Sequence, residues 1–487
     1  MNDTTTGRTE RADVAIVGAG PAGLAAAVAA AESGAAVVLV DAAAQPGGQF
    51  WRHRPEGIVQ ERDGRGHHGW KTYLDLRARF DAGRERGQIT YLPGLQVWMA
   101  EKDDAGFTLR TTPTVAGPVG GPAVAARRLI LSPGGYDRQL PVPGWDLPGV
   151  MAAGGIQAFL KGNGSLPGRR FVIAGTGPFL LPVAAGIAEA GGQVVAVLES
   201  SSPAAWLPHL GAAAGVPEKA LEGAEYAAVF ARHRIPYRTR NVVTEVLGSG
   251  SRGSSRVTAV RSAKVDAKGK VRPGTERGYA DVDVVGFGWG FTPQMELPLS
   301  LGAETRLDAD GSLVGVVNER QESSVPGLFL AGEVTGVGGA KLAVLEGLAA
   351  GAAAAARDDA ARAAPGLHAM ARHRRFAEAM HRAHPVPAGW QEWLTPATVV
   401  CRCEEVTAGQ ITEAREMLEA RDARTIKSFT RAGMGWCQGR VCGFAAACLG
   451  QGPAAPPSAE SLSSAARRPL AAPVGIGELA ALEPSDS

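Results

Sequence analysis

The first 400 residues of this 487-residue chain contain no cysteine. All five cysteines, Cys401, Cys403, Cys437, Cys442 and Cys448, fall within one short stretch near the C-terminus. A secreted disulfide framework would spread its cysteines along the chain, so this clustering points to metal binding or redox chemistry. It also excludes a disulfide reductase of the thioredoxin- or glutathione-reductase type, which needs a Cys-x-x-Cys near a nucleotide motif. Long apolar runs are lacking too: the longest, such as Leu24 to Ala31, are Ala-rich and stop well short of a membrane span. Charge of one sign is also missing. A formal net charge of +2 gives no reason to expect nucleic acid or a membrane surface as partner. Met1 to Asp13 is polar and lacks the apolar stretch of a secretory signal, so a cytoplasmic protein is expected.

What the chain does have is length for roughly three domains, abundant alanine, and glycines whose placement is informative. Residues 13–17 form a short apolar strand and run straight into Gly18-Ala-Gly20-Pro21-Ala22-Gly23. An Ala-rich helix to about Ser33 and a second strand, Ala36 to Val40, follow, ending at Asp41. In such a β-α-β unit the first glycine permits the tight turn, the second lets the backbone approach a pyrophosphate, and the third lets helix and strand pack closely. The helix start offers free N–H groups to the phosphates. Asp41 stands where an acid holds the ribose hydroxyls of an adenosine half.

The plan repeats at Phe171 to Ala174, then Gly175-Thr-Gly177-Pro-Phe-Leu180, a helix, and the strand Gln193 to Leu198 ending at Glu199. Here Leu180 replaces the third glycine, which predicts a wider helix–strand spacing and a tilted phosphate site. Glu199 opposes a 2′-phosphate, so NADP is disfavoured. An NAD site and a degenerate nucleotide fold both remain open. Pro/Gly-rich crossovers at 133–149 and 283–293 lead out of and back into the first unit. The strand Gly327 to Ala331 then ends at Gly332-Glu333, before a glycine-rich turn and a small-residue helix over 341–356. A carboxylate there can accept hydrogen bonds from polyol hydroxyls, and the helix start places a positive dipole end beside an electron-rich ring. Ordinary strand–turn–helix punctuation explains the same residues.

In this order the pieces resemble the two-dinucleotide-binding-domain flavoproteins, in which an FAD motif is interrupted by an inserted NAD-type domain. Gly18, Gly20, Gly23 and Asp41 match the adenosine-side motif, Gly47-Gly48-Gln49 the turn that follows it, and Glu333 the position where that family more often has Asp beside the ribityl chain. The resemblance implies FAD. Together with Cys401-Arg-Cys403 and Cys437-x₄-Cys442, the chain also resembles the A (alpha) subunits of opine oxidases, the B subunit of hydrogen cyanide synthase and the alpha subunits of proline or hydroxyproline dehydrogenases. The resemblance implies partners: an amino-acid-oxidase-type flavoprotein subunit that oxidises the substrate, and a small ferredoxin-like subunit.

Two cysteine pairs about thirty residues apart can bring four thiolates around one centre, with Thr407 and Gln410 forming a capping box for the helix between them. A [2Fe–2S] cluster, whose negative charge Arg402, Lys427, Arg431 and Arg440 could offset, is favoured over zinc, because zinc sites usually use Cys-x₂₋₄-Cys pairs. Cys448, on an apolar stretch, reads as a buried small hydrophobe. His53 reads as a packing or surface residue, and His67 and His68 lie in a polar loop.

The expected fold is therefore α/β. It has an FAD-binding domain over 10–149 and 285–360, interrupted by an NAD-type domain over 150–284. A helical connector with a solvated face (361–394), a [2Fe–2S] module (395–450) and a flexible tail with a docking segment (451–487) complete it. The expected role is an FAD- and [2Fe–2S]-containing electron-transfer subunit of an amino-acid, imino-acid or opine dehydrogenase. A self-contained NADH-dependent reductase and a non-catalytic scaffold are the alternatives. No catalytic acid–base set stands out.

Overall fold

The computed structural model describes residues 9–57, 66–115, 120–250, 255–356, 366–453, 457–480 and 482. The strand Thr9–Val17 lies parallel to Val37–Asp41 on one side and to Ala123–Leu131 on the other. Ala123–Leu131 divides its far edge between two neighbours. Its N-terminal half pairs antiparallel with Phe107–Pro113, and its last three residues pair parallel with Leu328–Leu330. The late strand thus ends at the same sheet edge as Thr9–Val17 and Val37–Asp41. In parallel α/β sheets this carboxyl edge is where ligands bind.

Small residues set the depth of the first fold. Helix Pro21–Glu32 packs on helix Ala340–Ala355, and the fit depends on missing side chains. A Cβ on Gly347 would come within 2.1 Å of the Ala22 carbonyl oxygen, and one on Gly351 within 2.3 Å of that of Ala26. The helices are small-residue throughout because backbone meets backbone there.

The second sheet is wholly parallel, in the order Tyr237–Thr239, Gln193–Glu199, Arg170–Gly175, Val284–Gly288, Val150–Ala152. Val284–Gly288 is one of its inner strands, so the chain leaves this fold after Gly288 and not at 284, where the boundary was expected. A three-stranded antiparallel sheet, Asn241–Ser249, Arg256–Lys264 and Arg277–Ala280, accompanies it. The outgoing and returning crossovers pair with each other, Gly135–Asp137 against Phe291–Pro293.

Directly after that pairing lies Arg138, 2% exposed. Its guanidinium donates to Asp310 Oδ2 (2.9 Å), to the carbonyls of Asp310 (2.9 Å) and Phe291 (3.1 Å), and to Ser312 Oγ. It also stacks on the ring of Phe444, 4.3 Å from its centroid. Burial pushes the Asp310 carboxyl up, but Arg138, His381 and the hydrogen bonds from Ser312 together outweigh it, and the carboxyl sits below its ordinary value.

Phe444 belongs to the cysteine module, which shares a core with the second fold: Val400, Ile411, Ile426 and Ala445 cluster with Trp145, Val285 and Trp289. Two expectations fail in the C-terminal third. The connector helix Leu367–Ala383 is not merely a solvated face, because Met370, His373, Ala377 and His381 are buried along one side of it. The tail is not simply flexible either. Ser458 caps a helix, Ala459–Ala466, whose Ser461 and Leu462 are buried. Beyond it Ala471 N–H donates to the Trp98 carbonyl (2.7 Å), and Glu478 accepts from Thr112 and Gly120. Parts of the expected connector (361–365) and tail (454–456, 481 and 483–487) lie outside the described residues. No described helix is long and apolar enough to cross a membrane.

The glycine-mediated helix contact gives a direct test. Gly351→Val should cost about 3 kcal/mol, the upper range for overpacking, and should reduce flavin retention. Chemical denaturation and flavin content per chain measure both.

Candidate functional site

The first turn is built as its glycines require. Gly18 has φ +95°, and a Cβ on it would strike the Ser132 carbonyl at 2.4 Å; one on Gly23 would strike the Gly18 carbonyl at 1.7 Å. Gly20 is different, because a Cβ there would meet only Gly48 Cα, at 3.9 Å. The surface beside it is open enough for a phosphate to approach. Pro21 and Ala22 open the helix. Gln49 accepts from Arg52 Nε (3.1 Å). At the end of the next strand Asp41 is buried, and its Oδ2 has no hydrogen-bond partner. Burial pushes this carboxyl up to about 6, against N–H groups of Ala19, Ala43 and Ala42. A buried carboxylate oxygen without a donor is costly unless a ligand supplies one, and ribose hydroxyls are suitable donors.

The late strand brings a second such acid. Gly332 has φ +80°, and a Cβ on it would lie 3.1 Å from Ala22 Cβ, so both halves of the site meet at this point. Glu333 Oε2 is enclosed and unpartnered. Its carboxyl is pushed up to about 7, first by burial and then by the charge of Glu346, with Arg374 opposing. Glu346, 2% exposed on helix Ala340–Ala355, accepts from Gly332 N–H (2.9 Å) and Thr335 Oγ1 (3.0 Å) and pairs with Arg374. Arg374 also donates to the Gly336 carbonyl (3.0 Å) and Thr335 Oγ1 (2.9 Å). The orphaned oxygens of Asp41 and Glu333 fit the two hydroxyl-bearing parts of FAD. Glu346 and Arg374 were missed in the sequence. The signal was a single acid in a helix that is otherwise alanine, glycine and aliphatic residues beyond Lys341.

In the cysteine module, strand Val399–Cys401 turns back through Val406–Thr407. Thr407 and Gln410 make the full capping box of helix Ala408–Met417, and Asp422 caps Ala423–Thr430. The chain returns with Gly433 N–H 3.5 Å from Cys401 Sγ. Helix Gly443–Gln451 starts immediately after Cys442. The thiols face each other in two pairs, Cys401 with Cys442 and Cys403 with Cys437. The bond from Cys442 and the N–H groups of Gly433, Glu404 and Cys403 hold the Cys401 thiol down at about 5 despite burial. The same bond pushes Cys442 up. The thiolate is the form that binds metal. Among the described residues no three His, Cys, Asp or Glu side chains converge closely enough to hold a single metal ion. Cys448 is buried, with its thiol pushed up to about 12.

Of the module's cations, Arg440 is integrated. It donates to Tyr136 Oη (2.8 Å), pairs with Glu296 (3.0 Å) and bonds the Ala471 carbonyl, joining the Cys437–Cys442 loop to both crossovers and the tail. Lys427, Arg468 and Cys442 line a cleft beside it. Arg431 pairs with Glu404 (2.8 Å), and Arg402 lies over the Trp145 ring. His53 is held by packing and by the Trp51 carbonyl (2.8 Å).

In the second turn Leu180 is fully buried, and the wider helix–strand spacing expected from it is relieved by another glycine. A Cβ on Gly288 would lie 2.9 Å from Leu180 Cδ2, so the leucine at the helix start fits because the facing strand Val284–Gly288 ends in glycine. Glu199 Oε2 accepts from Gly177 N–H (2.9 Å) and Oε1 from Ser201 N–H (2.8 Å). Gly175 packs on Gly288, where a Cβ would meet its carbonyl at 1.8 Å.

These features define a two-fold flavin oxidoreductase with a cysteine-bound cluster module, and comparison with known proteins agrees. Residues 12–356 match the pyridine nucleotide-disulphide oxidoreductase family, and residues 399–448 match the BFD-like [2Fe-2S] binding domain. The chain belongs to that oxidoreductase family, carries FAD and [2Fe–2S], and the zinc reading gives way. It is 31% identical to the A-type chain of opine oxidase from Rhizobium meliloti (strain 1021), over 96% of this chain and 98% of the relative. It is 31% identical to the HcnB chain of hydrogen cyanide synthase from Pseudomonas aeruginosa, over 88% and 90%. The solved L-proline dehydrogenase from P. horikoshii shares the fold, with a TM-score of 0.65 over 97% of this chain and 80% of that one at 18% identity.

The raised Glu333 carboxyl predicts a pH dependence in flavin-free protein. The group is raised when folded, so its contribution to stability is complete below its ordinary value of 4.5 and is lost as pH rises through about 7. Glu333→Gln should leave stability near pH 4 unchanged and raise it at pH 8 by about 3 kcal/mol. Urea denaturation at the two pH values measures the difference.

Proposed function

We propose that this chain is the electron-transfer subunit of a multi-subunit amino-acid, imino-acid or opine dehydrogenase. The observation that carries the reading is structural: one chain holds a flavin-type site and a four-thiol module. Arg440 and Phe444 of the module seat directly on the crossovers that frame the flavin fold. In the proposed roles, Gly18, Gly20 and Gly23 with the start of helix Pro21–Glu32 hold the pyrophosphate. Asp41 holds the adenosine ribose, and Glu333, with Gly332 and Glu346 behind it, holds the ribityl chain. Gly48 closes the turn over Gly20, and Gln49 follows it. Cys401, Cys403, Cys437 and Cys442 hold the cluster. FAD takes electrons in pairs, whereas a [2Fe–2S] cluster passes them singly, so together they supply two-to-one conversion. The chain's own residues keep the two sites in fixed relation: Arg440 bonds crossover and cysteine loop at once, and Arg138 joins crossover, return segment and module.

The relatives named as parts of an oxidase and a synthase support partner subunits here. In this reading an amino-acid-oxidase-type flavoprotein removes hydride from the substrate, and a small ferredoxin-like protein joins the complex.

The test is anaerobic. Purified alone, the chain should show flavin bands over broad iron–sulfur absorption, and neither should bleach with amino acids or opines. Co-purified with the substrate-oxidising partner, both should bleach when substrate is added. Cys403→Ser should remove the broad component, keep the flavin and abolish electron flow to the external acceptor. Robust substrate oxidation by this chain without a partner would sink the proposal.

A further inference from the structure

The two nucleotide turns of this chain differ in what faces them. In the first, Gly20 faces only the backbone of Gly48, with no side chain over it, and Asp41 Oδ2 has no donor. In the second, Glu199 is 1% exposed, and both its oxygens accept backbone N–H groups of its own fold. What covers it is the connector. Helix Leu367–Ala383 ends at His384, whose Cβ lies 3.8 Å from the place a Cβ on Gly177 would occupy. His384 Nδ1 is 3.7 Å from Glu199 Oε2. Trp206, on the turn after Glu199, donates from Nε1 to His384 Nε2 at 3.0 Å and so fixes the imidazole from behind. The Pro385 carbonyl lies 3.5 Å from Thr176 Oγ1, between the two glycines of the motif.

The plug is held from both sides. Phe376 of the connector helix packs on Trp206, with ring centroids 5.6 Å apart. His373 lies 3.9 Å from Glu218, which also pairs with Lys341 at the start of helix Ala340–Ala355 (2.6 Å). Arg374 of the same connector helix reaches the opposite way, into the Glu346 cluster of the first fold.

A dinucleotide in the second fold would need its pyrophosphate against Gly177 and its ribose hydroxyls on the Glu199 carboxylate. We propose that His384, seated by Trp206, takes the place of that pyrophosphate, and that these two side chains make the fold refuse NAD(H). They are specificity determinants, because they bar a soluble nicotinamide donor and leave the flavin to electrons from elsewhere. The inference rests on the geometry of the second turn and does not require the electron-transfer role.

The experiment is calorimetric titration of FAD-loaded protein with NAD⁺, so that the first fold is filled and cannot contribute. Wild type should show no saturable binding up to about 1 mM, whereas Trp206→Ala/His384→Gly should bind at least about tenfold more tightly than that limit. Adding Glu199→Ala to the opened variant should remove the gained binding, which locates it. Flavin content and thermal midpoint check that the variants are folded, and His384→Ala alone, which spares the tryptophan, replaces the double variant if that one loses flavin. Two results overturn the proposal: sub-millimolar NAD⁺ binding by wild type that Glu199→Ala abolishes, or folded opened variants that bind no better than wild type. Neither result bears on whether a partner protein delivers electrons, which the anaerobic bleaching experiment reads separately.

Discussion

Arg138 lies where three parts of the chain meet, and its charge is taken almost completely out of water there. A guanidinium in that position is tolerable only with its counter-charge and acceptors in place, and removing one member of such a pair typically costs about 3–5 kcal/mol. Asp310 and Ser312 come from the return segment, the Phe291 carbonyl from the returning crossover, and Phe444 from the cysteine module. The crossover pairing of Gly135–Asp137 with Phe291–Pro293 brings these pieces to one place, and the buried charge makes the meeting point specific. Both redox modules take their mutual position from it. Arg440 and Glu296, a second buried ion pair close by, tie the cysteine loop to the same crossovers.

The two nucleotide folds show how a common plan is bent to different ends. Each is a strand, a glycine turn, a helix and a strand ending in an acid. The first keeps all three glycines and leaves its acid short of a donor. The second exchanges a glycine for Leu180, recovers the space at Gly288, and uses its acid to bind its own turn. That acid is structural in this conformation: it closes the loop of the motif from within. Conservation of the pattern's outline does not by itself imply conservation of its ligand.

Much of this was legible in sequence because it is local. Gly18, Gly20, Gly23 and Asp41 lie within one short β-α-β unit, and Gly18 and Gly23 are required by a neighbour only a few residues away or on the adjacent strand. The capping box at Thr407 and Gln410 is likewise local. The ends of the flavin fold, Gly332 and Glu333, were legible because an acid follows an apolar strand. What escaped was set by tertiary contacts. Glu346 and Arg374 meet across two helices, one read as small-residue packing and the other as a solvated face. The buried stripe Met370, His373, Ala377 and His381 does have helical spacing, but histidine and alanine carry it in place of large apolar residues. His384 was invisible as a plug because nothing in its own surroundings names Gly177 as its neighbour. The tail helix Ala459–Ala466 sits in a Pro/Ala/Ser-rich stretch that by composition suggests a linker; Ser458 and Leu462, which cap and bury it, are single residues against that background.

The divided edge of strand Ala123–Leu131 has a consequence for synthesis on the ribosome. Its last three residues pair with Thr9–Val17 on one side but gain their other neighbour only in Leu328–Leu330, and the small-residue face of helix Pro21–Glu32 is met by Ala340–Ala355. Between them the chain emits the whole second sheet, whose strands are contiguous enough to close without help from either end. The inserted fold therefore completes first, while the earlier-made sheet waits with a bare strand edge and an uncovered small-residue helix. Half-built sheets of that kind are open to wrong pairing. A nascent chain of this design is most vulnerable after the insert has folded and before residue 355 has cleared the exit tunnel, so chaperone demand should concentrate in that interval.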